Sequence, residues 1–419
     1  MFLALLIVLI LLMLFLRQTI VVILGVAVAY MHLVWGDGDI LYLIEDAWVA
    51  IDKEALLSIP MFILVGAVMT RGSIAARLID VMVALTQGLR GGLGAASILS
   101  CAAFAAISGS SPVTLLAVGA ILYPALISQN YDKKYALGAL TSGGTLGIII
   151  PPSIPLIMFG IATETSIVDL FVAGILPGLL LTAVMVGYSL YVNRHAELPK
   201  PEDRKSLTLA LRQGGPALMM PALLLTGIYS GFFTPTESAA VALGYALVIE
   251  MFYYREVGLK SLYEIVQETI VLLGSILPII AIAVSVNLFL AAEGIPNLIA
   301  DWFQGNLGNV IIFLLCLNIM LLAVGMVMDT FSAILILGPM MIPVAQSYGI
   351  DPVHLGIIMV LNLEIGLLTP PMGINLLVAS TAFKERFLLV ARSVLPFILL
   401  MILVLMVVSF VPQLSLALL

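Results

Sequence analysis

Gly147-Ile148-Ile149-Ile150-Pro151-Pro152, in the first half of the chain, reappears as Gly366-Leu367-Leu368-Thr369-Pro370-Pro371 in the second, 366 − 147 = 219 positions later. The same displacement carries Gly119 onto Gly338, Pro124 onto Pro343, Asp132 onto Asp351 and Pro177 onto Pro396. Glycine and proline are the residues whose placement a backbone constrains most, so one offset matching them over about 60 positions identifies an internal repeat. Its units run from 1 to 192 and from 207 to 412, joined by the polar linker 193–206.

The residues around these motifs set the solvent. Of 419 residues, 62% are hydrophobic and 10% charged, against about 25% charged in a soluble domain. Apolar stretches of about 20 residues, the length that crosses a bilayer core, recur along nearly the whole chain and leave no room for a sizeable soluble domain. The net charge of −7 is spread over the connecting loops, which argues against nucleic-acid binding. With no nucleotide-binding motif, ATP is not expected as the energy source. Cys101 and Cys316 both lie in apolar runs and read as packed, inert thiols rather than a disulfide framework. The segment from Met1 to Leu16 has no basic region before its apolar run and no small-residue cleavage site, so it is expected to be a retained first helix.

Loop charges then orient the two copies. The linker carries Arg194, Lys200, Arg204 and Lys205, which places it in the cytoplasm. The loop from Glu164 to Asp169 is acidic, whereas its counterpart 219 residues on holds Lys384, Arg386 and Arg392; Lys133-Lys134, conversely, correspond to Pro352-Val353. Equivalent loops of opposite charge belong on opposite sides, as inverted-topology transporter repeats require. The expected fold is an all-α polytopic membrane protein of two inverted repeats. The first holds scaffold helices over 1–70, turning at Arg17 and with the acidic stretch 37–54 outside. An amphipathic arm (74–90), a re-entrant hairpin (92–127), a broken helix (135–162) and a helix (170–192) follow. The second holds scaffold helices over 207–290, including a crossing near 270–290, then an acidic arm (294–303), a hairpin (306–346), a broken helix (352–382) and a helix (387–412). Both termini then lie on the periplasmic side.

The interruptions carry the chemistry. The hairpin tips are Ser108-Gly109-Ser110-Ser111-Pro112 and Met328-Asp329-Thr330-Phe331-Ser332, and each is followed by a helix broken at the repeated Gly and Pro-Pro motif. Non-helical backbone inside a bilayer leaves amides and carbonyls unpaired unless protein or a water-filled cavity receives them. Freed carbonyls and hydroxyls pooled at one depth form an oxygen cage for a small hard cation, and helix N-termini starting at the same breaks suit an anionic carboxylate. The plainer reading, Gly and Pro kinking ordinary membrane helices, does not account for breaks that are paired, repeated and flanked by Ser, Thr and Asp. Asp329, a carboxylate near mid-membrane, reads as part of an ion path or of a buried pair. Glu364 either faces a polar cavity or pairs within the fold. Glu237, in Thr234-Pro235-Thr236-Glu237, reads as a helix cap. His32, His195 and His354 share no metal-ligand spacing and are expected at interfaces.

Together these residues resemble the large membrane subunit of tripartite ATP-independent periplasmic (TRAP) transporters. The resemblance rests on Ile107-Ser108-Gly109-Ser110-Ser111-Pro112, on Ser142-Gly143-Gly144-Thr145-Leu146-Gly147 running into Ile150-Pro151-Pro152-Ser153-Ile154, and on Leu170-Phe171-Val172-Ala173-Gly174-Ile175-Leu176-Pro177-Gly178. It extends to Phe233-Thr234-Pro235-Thr236-Glu237, Met328-Asp329-Thr330 and Thr369-Pro370-Pro371-Met372-Gly373, and so covers essentially the whole chain. It implies a transporter of the bacterial inner membrane rather than an enzyme, driven by sodium (Na+, two or more sites) and importing an organic acid such as a C4-dicarboxylate or a sialic acid. It implies delivery by a periplasmic substrate-binding protein, a separate small membrane subunit of four helices, and an elevator movement of the hairpin domain against a fixed scaffold. Carried over residue by residue, Ser108, Gly109, Ser110, Gly144 and Gly147 correspond to a first sodium site. Gly325, Asp329, Thr330, Gly366, Thr369 and Met372 correspond to a second. Ser111, Thr145, Pro151, Ser153, Pro370 and Gly373 are the expected substrate contacts between them. Two other readings stand beside this one: a stand-alone sodium/carboxylate symporter of the related divalent-anion type, and a receptor or assembly factor that uses the fold for binding only.

Overall fold

A computed structural model describes residues 2–16, 18–36, 41–198 and 205–419. The Arg17 turn, the start of the acidic stretch at Asp37 and the linker cations Lys200 and Arg204 lie outside the described residues. Every described element is helical. The first half contains α1 (Phe2–Phe15), α2 (Ile20–Val34), α3 (Leu41–Ile51), α4 (Ser58–Arg71), α5 (Ile74–Thr86), α6 (Gly92–Ser108), α7 (Ser111–Ser128), α8 (Lys133–Thr145), α9 (Ile154–Thr163) and α10 (Ile167–Val192). The second contains α11 (Leu207–Tyr229), α12 (Pro235–Val248), α13 (Leu259–Ala292), α14 (Ile295–Asn306), α15 (Val310–Gly325), α16 (Thr330–Ser347), α17 (Pro352–Gly366), α18 (Ile374–Ala382), α19 (Phe387–Phe410) and α20 (Gln413–Leu416). Shifting α7 by the sequence offset gives 111 + 219 = 330 and 128 + 219 = 347, the bounds of α16. The bounds of α8 and α17, α9 and α18, and α10 and α19 agree in the same way to within two residues.

Among the described residues six helices are long and apolar enough to cross a membrane, the longest being α13. Its 34 residues rise about 51 Å at about 1.5 Å each, well beyond the roughly 30 Å hydrocarbon core. Its start, Leu259-Lys260-Ser261-Leu262-Tyr263-Glu264, is polar enough to stand in the headgroup region or beyond. Large apolar side chains such as Leu5, Val8 and Phe15 on α1 and Leu395, Leu399 and Leu403 on α19 are exposed; their solvent is lipid, not water.

α4 packs on α12, and α13 on α2, α3 and α4, while α6 to α10 and α15 to α20 gather around the two broken helices; α5 against α6 and α13 against α16 join the two sets. The two hairpins differ. α6 and α7 pack closely on each other, whereas α15 leans on α17 and α16 is wedged among α9, α13, α14 and α17. α6 is rich in small residues, Gly92, Gly94, Ala95, Ala96, Ser97 and Ser100, that let several helices approach it, Gly92 facing Thr86 at the end of α5 and Gly94 facing Tyr135 of α8 and Ser189 of α10, while α15 is Val, Ile, Leu and Phe over most of its length.

Several readings need correction. The acidic stretch contains a helix, α3, whose inner face is Leu43, Asp46, Ala47 and Ala50 and whose large apolar residues Ile44 and Trp48 point outward. Small alanines bring it flush against α13, and the exposed apolar face hides the usual inward pattern. Cys101 is buried as expected, but Cys316 is exposed, because α15 turns that face to lipid. His32 and His354 stand in the end turns of α2 and α17, and their side chains are buried in protein, His32 against Ser285 Oγ (3.1 Å) and His354 against Ser415 Oγ (3.2 Å).

Candidate functional site

The first hairpin tip turns on Gly109, whose φ of +57° is left-handed and open to glycine without strain. Around that turn three oxygens gather. Thr114 Oγ1 donates to the Ser110 carbonyl (2.9 Å), which leaves Ser108 Oγ to donate to Thr114 Oγ1 (2.6 Å). Gly147, at the break after α8, closes the group: a Cβ there would stand 2.6 Å from Ser110 O and 2.7 Å from Thr114 Oγ1. Gly144 likewise admits α7, since a Cβ would lie 2.7 Å from Leu115 Cβ. The Gly109 carbonyl accepts the Ile154 amide at 3.2 Å, joining the tip to the far side of the break. The structure thus brings Ser108, Gly109, Ser110, Gly144 and Gly147 together and buries all but Ser110. Hydroxyls and carbonyls of this kind are the donor set that a hard cation such as Na+ takes. Thr114 was missed because it looks like an ordinary helical threonine.

The second tip is built differently. Asp329 is the N-cap of α16, its two oxygens accepting from Ser332 N (2.9 Å) and Ser332 Oγ (2.6 Å). Capping is a role the mid-membrane reading did not weigh. The neighbouring Thr330 hydroxyl is buried without a hydrogen-bond partner, so it is the available donor at this tip. Gly366 meets Gly325 across the break, where a Cβ would lie 2.7 Å from Gly325 O. The Met372 amide reaches the Met326 carbonyl at 3.4 Å, and the Thr369 hydroxyl is spent on Ile365 O (2.8 Å). Pro370, Pro371 and Met372 are exposed. The first break is therefore shut within protein, and the second opens onto a surface.

Of the expected substrate contacts, Ser153 caps α9, accepting from Leu156 N (3.3 Å) and donating to Ile148 O (2.5 Å). Pro151 is buried beside Gly174 of α10, where a Cβ would lie 2.8 Å from Ile149 O, and Gly178, one turn on, faces Ile150. Small residues there let α10 back the break directly, which is why the motif carries them. Gly373 supplies the left-handed turn into α18 (φ +45°). Ser111 accepts a hydrogen bond from Asn375 Nδ2 on α18, so one half of the chain touches the other at the first hairpin. Asn375 is buried with its Oδ1 unpartnered, a polar residue the sequence reading passed over in an apolar run. Thr145 lies beside Glu364, its own 219-shifted counterpart. Thr145 Oγ1 donates to Ser142 O (2.6 Å), and among the described residues neither buried Glu364 carboxylate oxygen meets a donor in hydrogen-bond geometry. Glu237 is the helix cap expected of it: it accepts the Thr234 amide (2.8 Å) and donates its own to Thr234 Oγ1 (3.2 Å). Among the described residues no cluster of three or more His, Cys, Asp or Glu could hold a metal ion.

Known proteins share this architecture. The family model described as "Tripartite ATP-independent periplasmic transporter, DctM component" matches residues 6–414. The C4-dicarboxylate TRAP transporter large permease protein DctM of Pseudomonas aeruginosa is 42% identical over 370 residues, 88% of this chain and 86% of that one. The isethionate TRAP transporter permease protein DctMQ of Oleidesulfovibrio alaskensis is 37% identical over 88% of this chain but only 59% of its own. The crystal structure of the Alcanivorax borkumensis YdaH transporter matches 90% of this chain and 89% of that one with a TM-score of 0.57 at 15% identity, a likeness of fold alone. With the family model spanning nearly every residue and close relatives matching along most of their length, the chain belongs to the DctM family of large membrane permease subunits of TRAP transporters.

Proposed function

We propose that this permease subunit imports an organic acid of the C4-dicarboxylate class, driven by sodium bound at the two hairpin tips. The block of hairpins and broken helices moves as an elevator against α1–α4 and α11–α13. The observation that carries the reading is the oxygen group of Ser108, Ser110 and Thr114 closed by Gly147. It is buried, made of neutral hard donors, and occupies the one kind of place where interrupted backbone is tolerated in a bilayer. Exposure of the second break gives the substrate a way in.

The inverted reading of the two copies rests on the opposite charge of equivalent loops, Glu164 and Asp169 in one against Lys384, Arg386 and Arg392 in the other, and each loop has an ion pair of its own. Glu164, between α9 and α10, faces Lys53 ahead of α4 (3.9 Å). Its counterpart loop, between α18 and α19, offers Glu385 to Lys133 at the start of α8 (2.6 Å). Lys53 lies at one end of α4, and Arg71, at the other, pairs with Glu264 (2.7 Å) and Glu268 (2.5 Å). Delivery by a periplasmic binding protein and a separate small membrane subunit complete the reading. The DctMQ relative, whose chain extends far beyond the part matched here, supports a second subunit that this chain would recruit.

The test is uptake of radiolabelled succinate, a four-carbon dicarboxylate, by cells carrying the complete transport system. Uptake is expected to require an inward sodium gradient and the binding protein together. Uptake that persists in potassium medium overturns sodium drive, and uptake by this chain without a binding protein favours the stand-alone symporter.

A further inference from the structure

The two arms, α5 and α14, occupy equivalent places in the two copies but are tied to different neighbours. The Glu250 side chain, on a π-helical turn (Ile249–Tyr253) that ends α12, is fully buried, and its Oε1 accepts the Ile74 amide at the first turn of α5 (2.7 Å). Gly72 makes room for it, since any Cβ there would collide with the carboxylate. Midway along α5 the Arg77 guanidinium sits 3.9 Å above the Tyr254 ring, and the Tyr254 hydroxyl is fixed on Gln213 O (2.8 Å). Farther along, a Cβ on Gly214 of α11 would reach 2.6 Å from Val81 Cγ2. At the end of α5, Gln87 exchanges hydrogen bonds with the Lys205 backbone (2.7 and 2.9 Å), and Lys205 pairs with Asp80. α5 is thus fastened at its start, middle and end to α11, α12 and the linker.

Among the described residues the other arm has no such fastening at its root. α14 starts after Gly294 (φ +67°) with no side-chain cap, and nothing lies within 4 Å of the place a Gly294 Cβ would take. α5 also packs on α6 of its own hairpin, as closely as on α11, whereas α14 packs chiefly along α16 and more lightly on α13. Gln304 Nε2 donates to Ser347 O (3.1 Å), Phe303 meets Phe313 edge-on at 5.7 Å, and Phe313 stacks on Tyr348 at 4.3 Å.

We propose that α5 is a fixed part of the scaffold, held by Glu250 as a positioning residue, while α14 travels with the second hairpin. The molecule then flexes at residues 87–92, which include Gly88, Gly91 and Gly92, and at Glu293-Gly294. This rests on the elevator reading, and the test separates the two. Cysteine pairs are introduced in a Cys316→Ser background, joined by a short bifunctional thiol reagent, and assayed by succinate uptake in cells carrying the complete system.

The pair Val81→Cys with Gly214→Cys, joining α5 to α11, and the pair Gln304→Cys with Ser347→Cys, joining α14 to the end of α16, are expected to leave uptake within twofold of the unbridged protein. The pair Asn287→Cys with Leu335→Cys, which replaces the 2.5 Å contact between α13 and α16, is expected to arrest it. Continued uptake with this last bridge removes the elevator reading and the inference together. Arrest by either of the first two bridges, with the last behaving as expected, overturns the inference alone. Glu250→Ala is expected to lower maximal uptake about tenfold at unchanged KM, the scale of one lost hydrogen bond to a charged group. Bridging 81 to 214 is expected to restore it, and Glu250→Gln, which keeps the acceptor, to stay near wild type. An Ala variant that the bridge fails to rescue shows Glu250 to be structural only.

Discussion

At the scale of single residues, the cap that Asp329 forms and the sodium-site role proposed for it can be separated by substitution. Its oxygens cap α16 through Ser332, and an asparagine retains one acceptor for that purpose while removing the charge. Asp329→Asn is therefore expected to express and fold like the parent yet lose most sodium-driven uptake. Sodium titration of succinate uptake checks this, and unaltered sodium dependence would remove Asp329 from the second site. Glycines give a paired contrast. Gly147→Ala drives a methyl group into Ser110 O and Thr114 Oγ1 and is expected to abolish uptake and destabilise the fold by roughly 1–3 kcal/mol. Gly187→Ala, in the middle of α10 with nothing within 4 Å of the new Cβ, is expected to stabilise by roughly 0.5–1 kcal/mol through helix propensity. Thermal melting of the detergent-solubilised protein compares the two.

At the scale of elements, the capping box at the start of α12 fixes where that helix begins. Thr234→Ala removes the acceptor for the Glu237 amide and is expected to cost about 1 kcal/mol, seen as a lower melting temperature with uptake unchanged. This element was legible in Thr234-Pro235-Thr236-Glu237, as was the turn at Gly109, because proline, glycine and capping residues state local backbone requirements outright. Contacts between elements were not. Asn375 reaches Ser111 across 264 positions, and neither residue type marks such a pairing in advance. Thr114 was equally silent, and Glu364, singled out as a carboxylate in an apolar run, gave no sign that Thr145 lies beside it, since such meaning comes from what the fold sets opposite a residue. The helix α3 went unread for a physical reason: in a membrane its large apolar side chains face outward and its alanines inward, the reverse of the soluble pattern.

At the scale of the whole molecule, inversion predicts that equivalent loops face different compartments. Thr165 and Lys384 occupy positions related by 384 − 165 = 219. In a Cys316→Ser background, Thr165→Cys is expected to react in intact cells with a membrane-impermeant maleimide and Lys384→Cys only after the membrane is opened. Equal labelling of both from outside would make the copies parallel. The meeting of Thr145 with Glu364 belongs to the same geometry. A residue touching its own counterpart marks the place where a symmetry axis would pass. Had both halves kept one ancestral sequence, like would confront like at that spot, and two carboxylates pressed together without water repel. Two facing carboxyls persist only by sharing a proton, so an acid set opposite a threonine is free of a constraint that two identical copies would carry there.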